Sequence, residues 1–192
     1  MNGLLEKNVS ESAPIATLPI GTYREIPLTQ GKVAIVDPED YEWLSQWNWY
    51  ARFSKGAWYV LRAGPKVKGK CHSVYMHRVI MQTPDGMQTD HINGNGLDNR
   101  RENMRSCNCA QNQYNQQKQK RATSSRFKGV SWDGRKYRAY IKVAGECISL
   151  GRFASEVQAA LTYDEAARRY FGEFAYTNFK ANRAYIQAQK GS

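Results

Sequence analysis

A carboxylate, an imidazole and several amides stand close together in the middle of the chain, a set of side chains able to hydrolyse a phosphodiester. The stretch reads Thr89-Asp90-His91-Ile92-Asn93-Gly94-Asn95, then Asp98-Asn99-Arg100-Arg101-Glu102-Asn103-Met104-Arg105, with Asn112 beyond it. Asn103 follows His91 by twelve residues, and Asn112 follows Asn103 by nine. Cleaving such an ester requires an activated water, neutralisation of the phosphate charge and help for the leaving 3′ oxygen. One hard cation with oxygen ligands serves the last two needs, and Asp90 and Asn112 offer oxygens of that kind. An imidazole such as that of His91 takes up a proton near neutral pH.

Short elements have to position these groups. The pattern predicts a turn at Pro84-Asp85-Gly86, a strand over Met87–His91 and an Asn/Gly loop over Asn93–Asn99. A second short strand follows over Asn103–Cys107, then a helix from about Asn108 to Gln117. Asn93, Asn95 and Asn99 suit left-handed turns and are assigned structural roles. Upstream, Val74–Met81 reads as a short helix carrying His77 and Arg78, both possible site residues; His72 is incidental.

Nearer the N-terminus, Lys32–Val36 reads as a strand. Asp37 is then the N-cap of a helix with Pro38 at its first position. Trp43, Leu44, Trp47 and Trp49 supply core bulk, and Trp49–Phe53 with Ala57–Arg62 form a hairpin. Four of the five tryptophans fall here, so the segment reads as structure without chemistry of its own. Residues 1–20 read as a flexible lead-in, and Gln116–Ser125, almost free of apolar residues, as a linker.

A second folded unit follows, with strands over Phe127–Trp132, Tyr137–Val143 and Cys147–Phe153. A helix over Ser155–Phe171 carries a Ser155/Gln158 capping box and ends at Gly172. In its middle strand Arg138, Tyr140 and Lys142 alternate with Ala139, Ile141 and Val143, giving one basic and one apolar face. The small Ala160 and Ala167 let the helix lie close to the sheet. A basic sheet face of this kind can enter a major groove.

The charge fits a polyanionic partner. The 192 residues hold 28 Lys+Arg against 17 Asp+Glu, a net +11, with a pI near 9.6. From Arg100 to Lys142 twelve basic residues face only Glu102 and Asp133, a local +10. The four cysteines (Cys71, Cys107, Cys109, Cys147) form no C-x-x-C pair. They read as reduced, buried thiols rather than a zinc site. No apolar run approaches a membrane span, and the first nineteen residues lack a signal pattern. The expected location is therefore the cytoplasm.

On the Asp90-His91, Asn/Gly-loop, Asn103 and Asn112 pattern, residues 21–118 resemble the HNH nucleases, closest to the phage and homing type with Asn at the last position. The resemblance implies a ββα-metal hairpin plus helix. It casts Asp90 and Asn112 as metal ligands, His91 as general base and Asn103 as the residue on the second strand that holds the loop and His91 in place. Asn108 and Asn115, on the same helix, stay open as alternatives to Asn112. Asn rather than His at the last position implies one Mg²⁺ or Mn²⁺ more than zinc.

Residues 126–180 resemble the ethylene-response-factor (APETALA-type) DNA-binding domain. The match rests on Phe127-Lys128-Gly129-Val130, Arg138-Ala139-Tyr140-Ile141, Leu150-Gly151-Arg152-Phe153, Tyr163-Asp164-Glu165-Ala166-Ala167, and Gly172, Ala175 and Asn178-Phe179. It implies DNA contacts from Lys128, Ser131, Arg135, Arg138, Tyr140 and Lys142, with Trp132 as a possible helper. Ser131, Tyr140, Cys147 and Ser149 stand where the plant domains have Arg, Glu, Arg and Trp, so the plant target sequence is not expected.

The expectation is thus an α+β protein: a ββα-metal HNH core (21–118), a linker (119–125), a three-stranded antiparallel sheet packed on one helix (126–180) and a tail (181–192). It would be a metal-dependent endonuclease of double-stranded DNA, a monomer or weak dimer with no membrane partner. Two other readings stay open: a DNA-binding regulator whose HNH scaffold is inactive, and an RNA-binding protein.

Overall fold

The computed structural model describes residues 23–54, 56–118 and 124–179. The predicted lead-in 1–20, residues 119–123 of the linker and the tail 181–192 lie outside the described residues. Among the described residues the architecture is α+β, with small antiparallel sheets and four α-helices.

Strands β1 (Arg24–Pro27) and β2 (Val33–Val36) pair, with Ile26 opposite Ala34. Helix α1 (Pro38–Leu44) starts at Pro38, whose fixed φ suits a first helical position. Asp37 precedes it but makes no side-chain cap; its Oδ2 accepts the backbone N–H of Arg101 at 2.8 Å instead. Strands β3 (Tyr50–Ser54), β4 (Ala57–Val67) and β5 (Lys70–Tyr75) form a sheet with β4 central. Helix α2 is only Met76–Ile80. Val74 and Tyr75, expected in that helix, are paired with Arg62 and Leu61 of β4. A short apolar run suits a buried strand or a helix equally, and here the neighbouring strand decides.

The hairpin β6 (Gln88–His91) and β7 (Met104–Cys107) places Asp90 opposite Arg105 and His91 opposite Met104. Asn103 ends a 3-10 turn just before β7 rather than lying on the strand. Helix α3 (Cys109–Asn115) follows, with Asn108 and Gln111 forming a reciprocal capping box. The loop between β6 and β7 is anchored on β2: Ile35 N–H donates to Leu97 O at 2.9 Å, and Asn99 N–H to Ile35 O at 2.7 Å. It also lies so close to β4 that a Cβ at Gly96 would come within 2.3 Å of Trp58 O.

One core gathers Ile26, Ala34, Val36, Leu44, Trp49, Val60, Met76, Ile80 and Met104 from most of these elements. Trp47, expected inside, is 48% exposed, with the Arg62 guanidinium 4.0 Å over its ring. Cys107 is buried, but Cys71, Cys109 and Cys147 are exposed, so three of the four thiols depart from the expectation.

Strands β8 (Val130–Trp132), β9 (Tyr137–Val143) and β10 (Glu146–Phe153) form the last sheet, with β9 central. Helix α4 (Glu156–Phe171) packs its small Ala159, Ala160 and Ala167 on it. Ser155 accepts the Gln158 N–H at 3.5 Å, the forward half of the expected capping box. Gly129 has φ +73°, and a Cβ there would fall 1.9 Å from the Tyr163 ring, so only glycine lets α4 approach this closely. Buried Asp164 then ties down the end of the described chain, accepting from Asn178 N and Nδ2 and from Phe179 N.

Candidate functional site

Asp90 and His91 are adjacent on β6, so they point to opposite faces of a two-stranded ribbon. Each meets a different set of partners. The Asp90 carboxylate faces α3 and Arg105: Oδ2 accepts from Arg105 Nε at 3.0 Å and Nη2 at 2.8 Å, while Oδ1 accepts from Asn115 Nδ2 at 3.0 Å. Asn115 Nδ2 also donates to the carbonyl of His91 at 3.0 Å. Asn112 lies one helical turn earlier and donates to Gln88 Oε1 at 2.6 Å. Gln88 and Asp90 share one strand face, and Asn112 and Asn115 share one helix face, so strand and helix are laced by two rungs. The rung that reaches the carboxylate is Asn115, not Asn112. Asn108 is spent on the capping box, its Oδ1 accepting Gln111 N–H at 2.9 Å.

The other face holds the imidazoles. His91 Nε2 lies 3.4 Å from Asn99 Oδ1; with that amide oxygen as acceptor, the ring donates through Nε2 and keeps its lone pair on Nδ1. Burial holds this imidazole below its usual pKa, against the Asn99 hydrogen bond and the charges of Asp90 and Asp98. The His77 ring lies edge-on to His91 with centroids 5.1 Å apart, and its buried Nδ1 has no hydrogen-bond partner among the described residues. Burial, then His91 and Arg78, lower the His77 pKa to about 3. Tyr59 and Tyr75 complete the aromatic wall around the two histidines. Arg78 turns away, donating to the carbonyls of Thr83, Pro84 and Met87.

Asn103 spans the loop. Its Oδ1 accepts Asn93 N–H at 3.0 Å, and its Nδ2 donates to Asp98 O at 2.8 Å and Asn93 Oδ1 at 3.1 Å. Asp98 in turn holds Arg100 through both oxygens. This polar lattice replaces an apolar core under the twelve-residue connection 92–103, and each buried group in it has a partner.

Asp90 and His91 are 5% and 6% exposed. Their cover is polar. Arg105 is itself held from outside by the carbonyl of Glu173 at 2.6 Å and stacks 4.1 Å from the Phe174 ring. Tyr114 of α3 stacks on Phe171 at 3.8 Å, so the end of α4 packs directly on the helix that faces Asp90. Among the described residues, Asp37, Glu39 and Asp40 also cluster. That cluster already holds Arg101, whose Nε and Nη2 reach the two Asp40 oxygens.

On the last sheet, Ser131, Arg138, Tyr140 and Lys142 share the face away from α4, with Ser131 beside Arg138. Arg138, Tyr140 and Lys142 are exposed there, and Arg135 is exposed in the β8–β9 turn. Two predicted contacts are placed elsewhere. Lys128 Nζ donates to Tyr114 O and Gln116 O, both at 2.7 Å, and burial lowers its pKa to about 8. It ties the two parts of the chain together. Trp132 pairs with Tyr137 and packs on its ring, on the opposite face from Arg138.

Three residues around these sites carry little signal in the sequence. Residue type marks Asn99 as a turn former, yet its amide is the hydrogen-bond partner of the His91 ring. Arg105 carried no signal beyond lying opposite Asp90 in a hairpin register. Arg152 joins the basic face beside Arg138, where it pairs with Asp133. Simple alternation hides it, because a bulge between Ser149 and Gly151 shifts the register. A glycine inside an apolar strand was the available clue.

No family model matches the chain, and no solved structure matches it. Over 132 residues it is 32% identical to an uncharacterised HNH endonuclease of Acanthamoeba polyphaga mimivirus, covering 65% of this chain and 68% of that one. With that identity across two thirds of the relative, the chain belongs to the HNH endonuclease family.

Proposed function

We propose that the protein is a metal-dependent endonuclease of duplex DNA whose β6–β7–α3 unit is the ββα-metal core. The observation that carries this reading is the meeting of a carboxylate and a helix amide, Asp90 and Asn115, at 3.0 Å, with the His91 imidazole next in the chain on the other face of the ribbon, 3.4 Å from the Asn99 amide. The donor set suits a hard divalent ion. The two ends of an amide differ little in shape, so a turned Asn115 would present its oxygen beside the carboxylate. Two oxygens about 3 Å apart span one edge of an octahedral shell of about 2.1 Å radius, as Mg²⁺ requires. Asn112 is a second donor one rung away.

An ion held there would neutralise the scissile phosphate and assist the departing 3′ oxygen. His91 Nδ1 takes the proton of the attacking water as its oxygen bonds to phosphorus. The bond to the 3′ oxygen breaks, and that oxygen is protonated from solvent, leaving 5′-phosphate and 3′-hydroxyl ends. Asn103 and Asn99 are positioning residues for the loop and the imidazole. The β8–β10 face, with Ser131, Arg135, Arg138, Tyr140 and Lys142, would hold the duplex in the manner of an ethylene-response-factor-type domain.

The second reading, a DNA-binding regulator on an inactive scaffold, draws on the closed state of the site, with both Asp90 oxygens engaged and Arg105 over them. Supercoiled plasmid incubated with Mg²⁺, Mn²⁺ or EDTA separates the two. The nuclease predicts nicking with metal, none in EDTA, and none from His91→Ala. Metal-independent or absent cutting by the parent protein rejects it.

A further inference from the structure

The tip of the β4–β5 hairpin contributes nothing to either core. From Ala63 to Ser73 every residue with a described side chain is exposed except Gly64, and none joins a core cluster. It is nonetheless regular structure: Lys66 pairs with Cys71 and Val67 with Lys70, around a tight Lys68-Gly69 turn with φ of +49° and +77°. A register shift between Ala63 and Lys66 breaks the regular line of the strand just before this tip. An ordered ribbon that protrudes without an apolar reason calls for a partner.

Its charge says which. No Asp or Glu occurs between Glu42 and Asp85, whereas Arg52, Lys55, Arg62, Lys66, Lys68, Lys70 and Arg78 all fall in that interval. Arg62 is taken by the Trp47 ring and Arg52 by the Tyr75 hydroxyl. Lys66, Lys68 and Lys70 have no ion pair, hydrogen bond or ring contact among the described residues. Lys66 and Lys70 leave the ribbon on opposite faces, because residues paired across strands share a face and these two belong to successive pairs. Lys68 sits at the turn.

We infer that this hairpin is a second nucleic-acid grip, a β-ribbon that enters a groove of the same duplex that β8–β10 holds. A two-stranded ribbon fits the major groove of B-form DNA, whose two walls are lined with phosphates. Lysines on opposite faces meet one wall each, a distribution a flat anionic surface could not use. The root of the ribbon is at the candidate site, where Tyr59 and Tyr75 pack around His77 and His91. From Tyr75 to Lys70 the strand extends about 17 Å, roughly half a helical turn of duplex. The tip therefore grips the DNA roughly half a turn from the bond that is cut. Only this last placement rests on the nuclease reading; the grip itself does not.

The test is the salt dependence of binding to a labelled 30-base-pair duplex in EDTA, where cutting plays no part. The full chain is compared with K66Q/K68Q/K70Q and, as a reference, with R138Q/K142Q. Each lost phosphate contact lowers the slope of log K against log salt by about 0.9. The triple variant is expected to lose about 2 to 3 in slope, with an unchanged melting temperature. An unchanged slope in the triple variant, alongside a reduced one in the reference, overturns the inference. So does an equal loss on A-form duplex RNA, whose deep, narrow major groove does not admit the ribbon. A parent protein that binds with the expected slopes yet never cuts plasmid refutes the nuclease and leaves the grip standing.

Discussion

The β6–β7 hairpin and the β8–β10 sheet both carry charged residues, but they keep them in opposite states. In the hairpin, Asp90, His91, Asn99 and Asn103 are buried, and each is fastened to specific partners. On the sheet, Arg138, Tyr140 and Lys142 stand in solvent, and the arginine and lysine make no ion pair among the described residues. Desolvated charges interact strongly and tolerate only one geometry. Exposed ones act singly, additively and at the mercy of salt. One region holds its polar groups in a single fixed geometry, and the other leaves them free in solvent.

The largest effects should come from the buried set. His91→Ala is expected to lower plasmid nicking by at least about a hundredfold, with duplex affinity changed by less than about twofold. In the same assay Asn115→Ala should cost more activity than Asn112→Ala, since only Asn115 reaches Asp90. The reverse order would make Asn112 the ligand and imply that α3 shifts on metal binding.

Arg105 separates charge neutralisation from structure. Its removal leaves the Asp90 carboxylate buried and uncompensated, a loss on the order of 3 kcal/mol. Arg105→Ala should melt earlier in EDTA and recover much of the difference in Mg²⁺, because the ion takes over the neutralising role. Equal destabilisation with and without metal would mean that no cation binds at Asp90.

Acid sensitivity is the next smaller effect. The His77 pKa falls from an ordinary 6.5 to about 3 on folding, so the unfolded chain binds the extra proton first. Stability from this group is complete above pH 6.5 and is lost as pH drops from there towards 3, by up to about 1.4 kcal/mol per pH unit. Urea midpoints for His77→Phe, which keeps the ring but cannot titrate, should fall less steeply across that window. Parallel midpoints in the two proteins would show that His77 stays protonatable in the fold.

The sheet should give the mildest response. Arg138→Gln or Lys142→Gln is expected to lower the salt slope by about 0.9 each, and Arg152→Gln by less, because Asp133 already holds it. Lys128→Gln should instead lower the melting temperature with little change in slope. A full loss of slope there would return Lys128 to the DNA face.

Much of this division can be read from residue order. The Asp90-His91 pair, the Asn-rich loop and Asn103 stand at recognisable spacings, and the alternation over Arg138–Val143 places a basic face before any coordinates exist. Local signals of this kind survive because strand and turn periodicities are short-range. What escaped reading depends on register and on which element lies across from which. Arg105 matters through its antiparallel partner, Arg152 through a bulge, and Asn115 through the rotation of α3 over β6. The lysines of the β4–β5 tip were present in plain view. They gained meaning once the ribbon was found to protrude.

The linear chain thus settled which chemical groups are available and roughly which elements carry them: a carboxylate beside an imidazole, amides downstream, a basic strand. Only the folded arrangement decided which amide meets the carboxylate, which cation neutralises it and which lysine is fastened to the carbonyls of Tyr114 and Gln116. The reason is physical. Residue type and spacing control local conformation, whereas burial, pairing and hydrogen-bond geometry arise between segments far apart in the chain, and those long-range terms choose the partner.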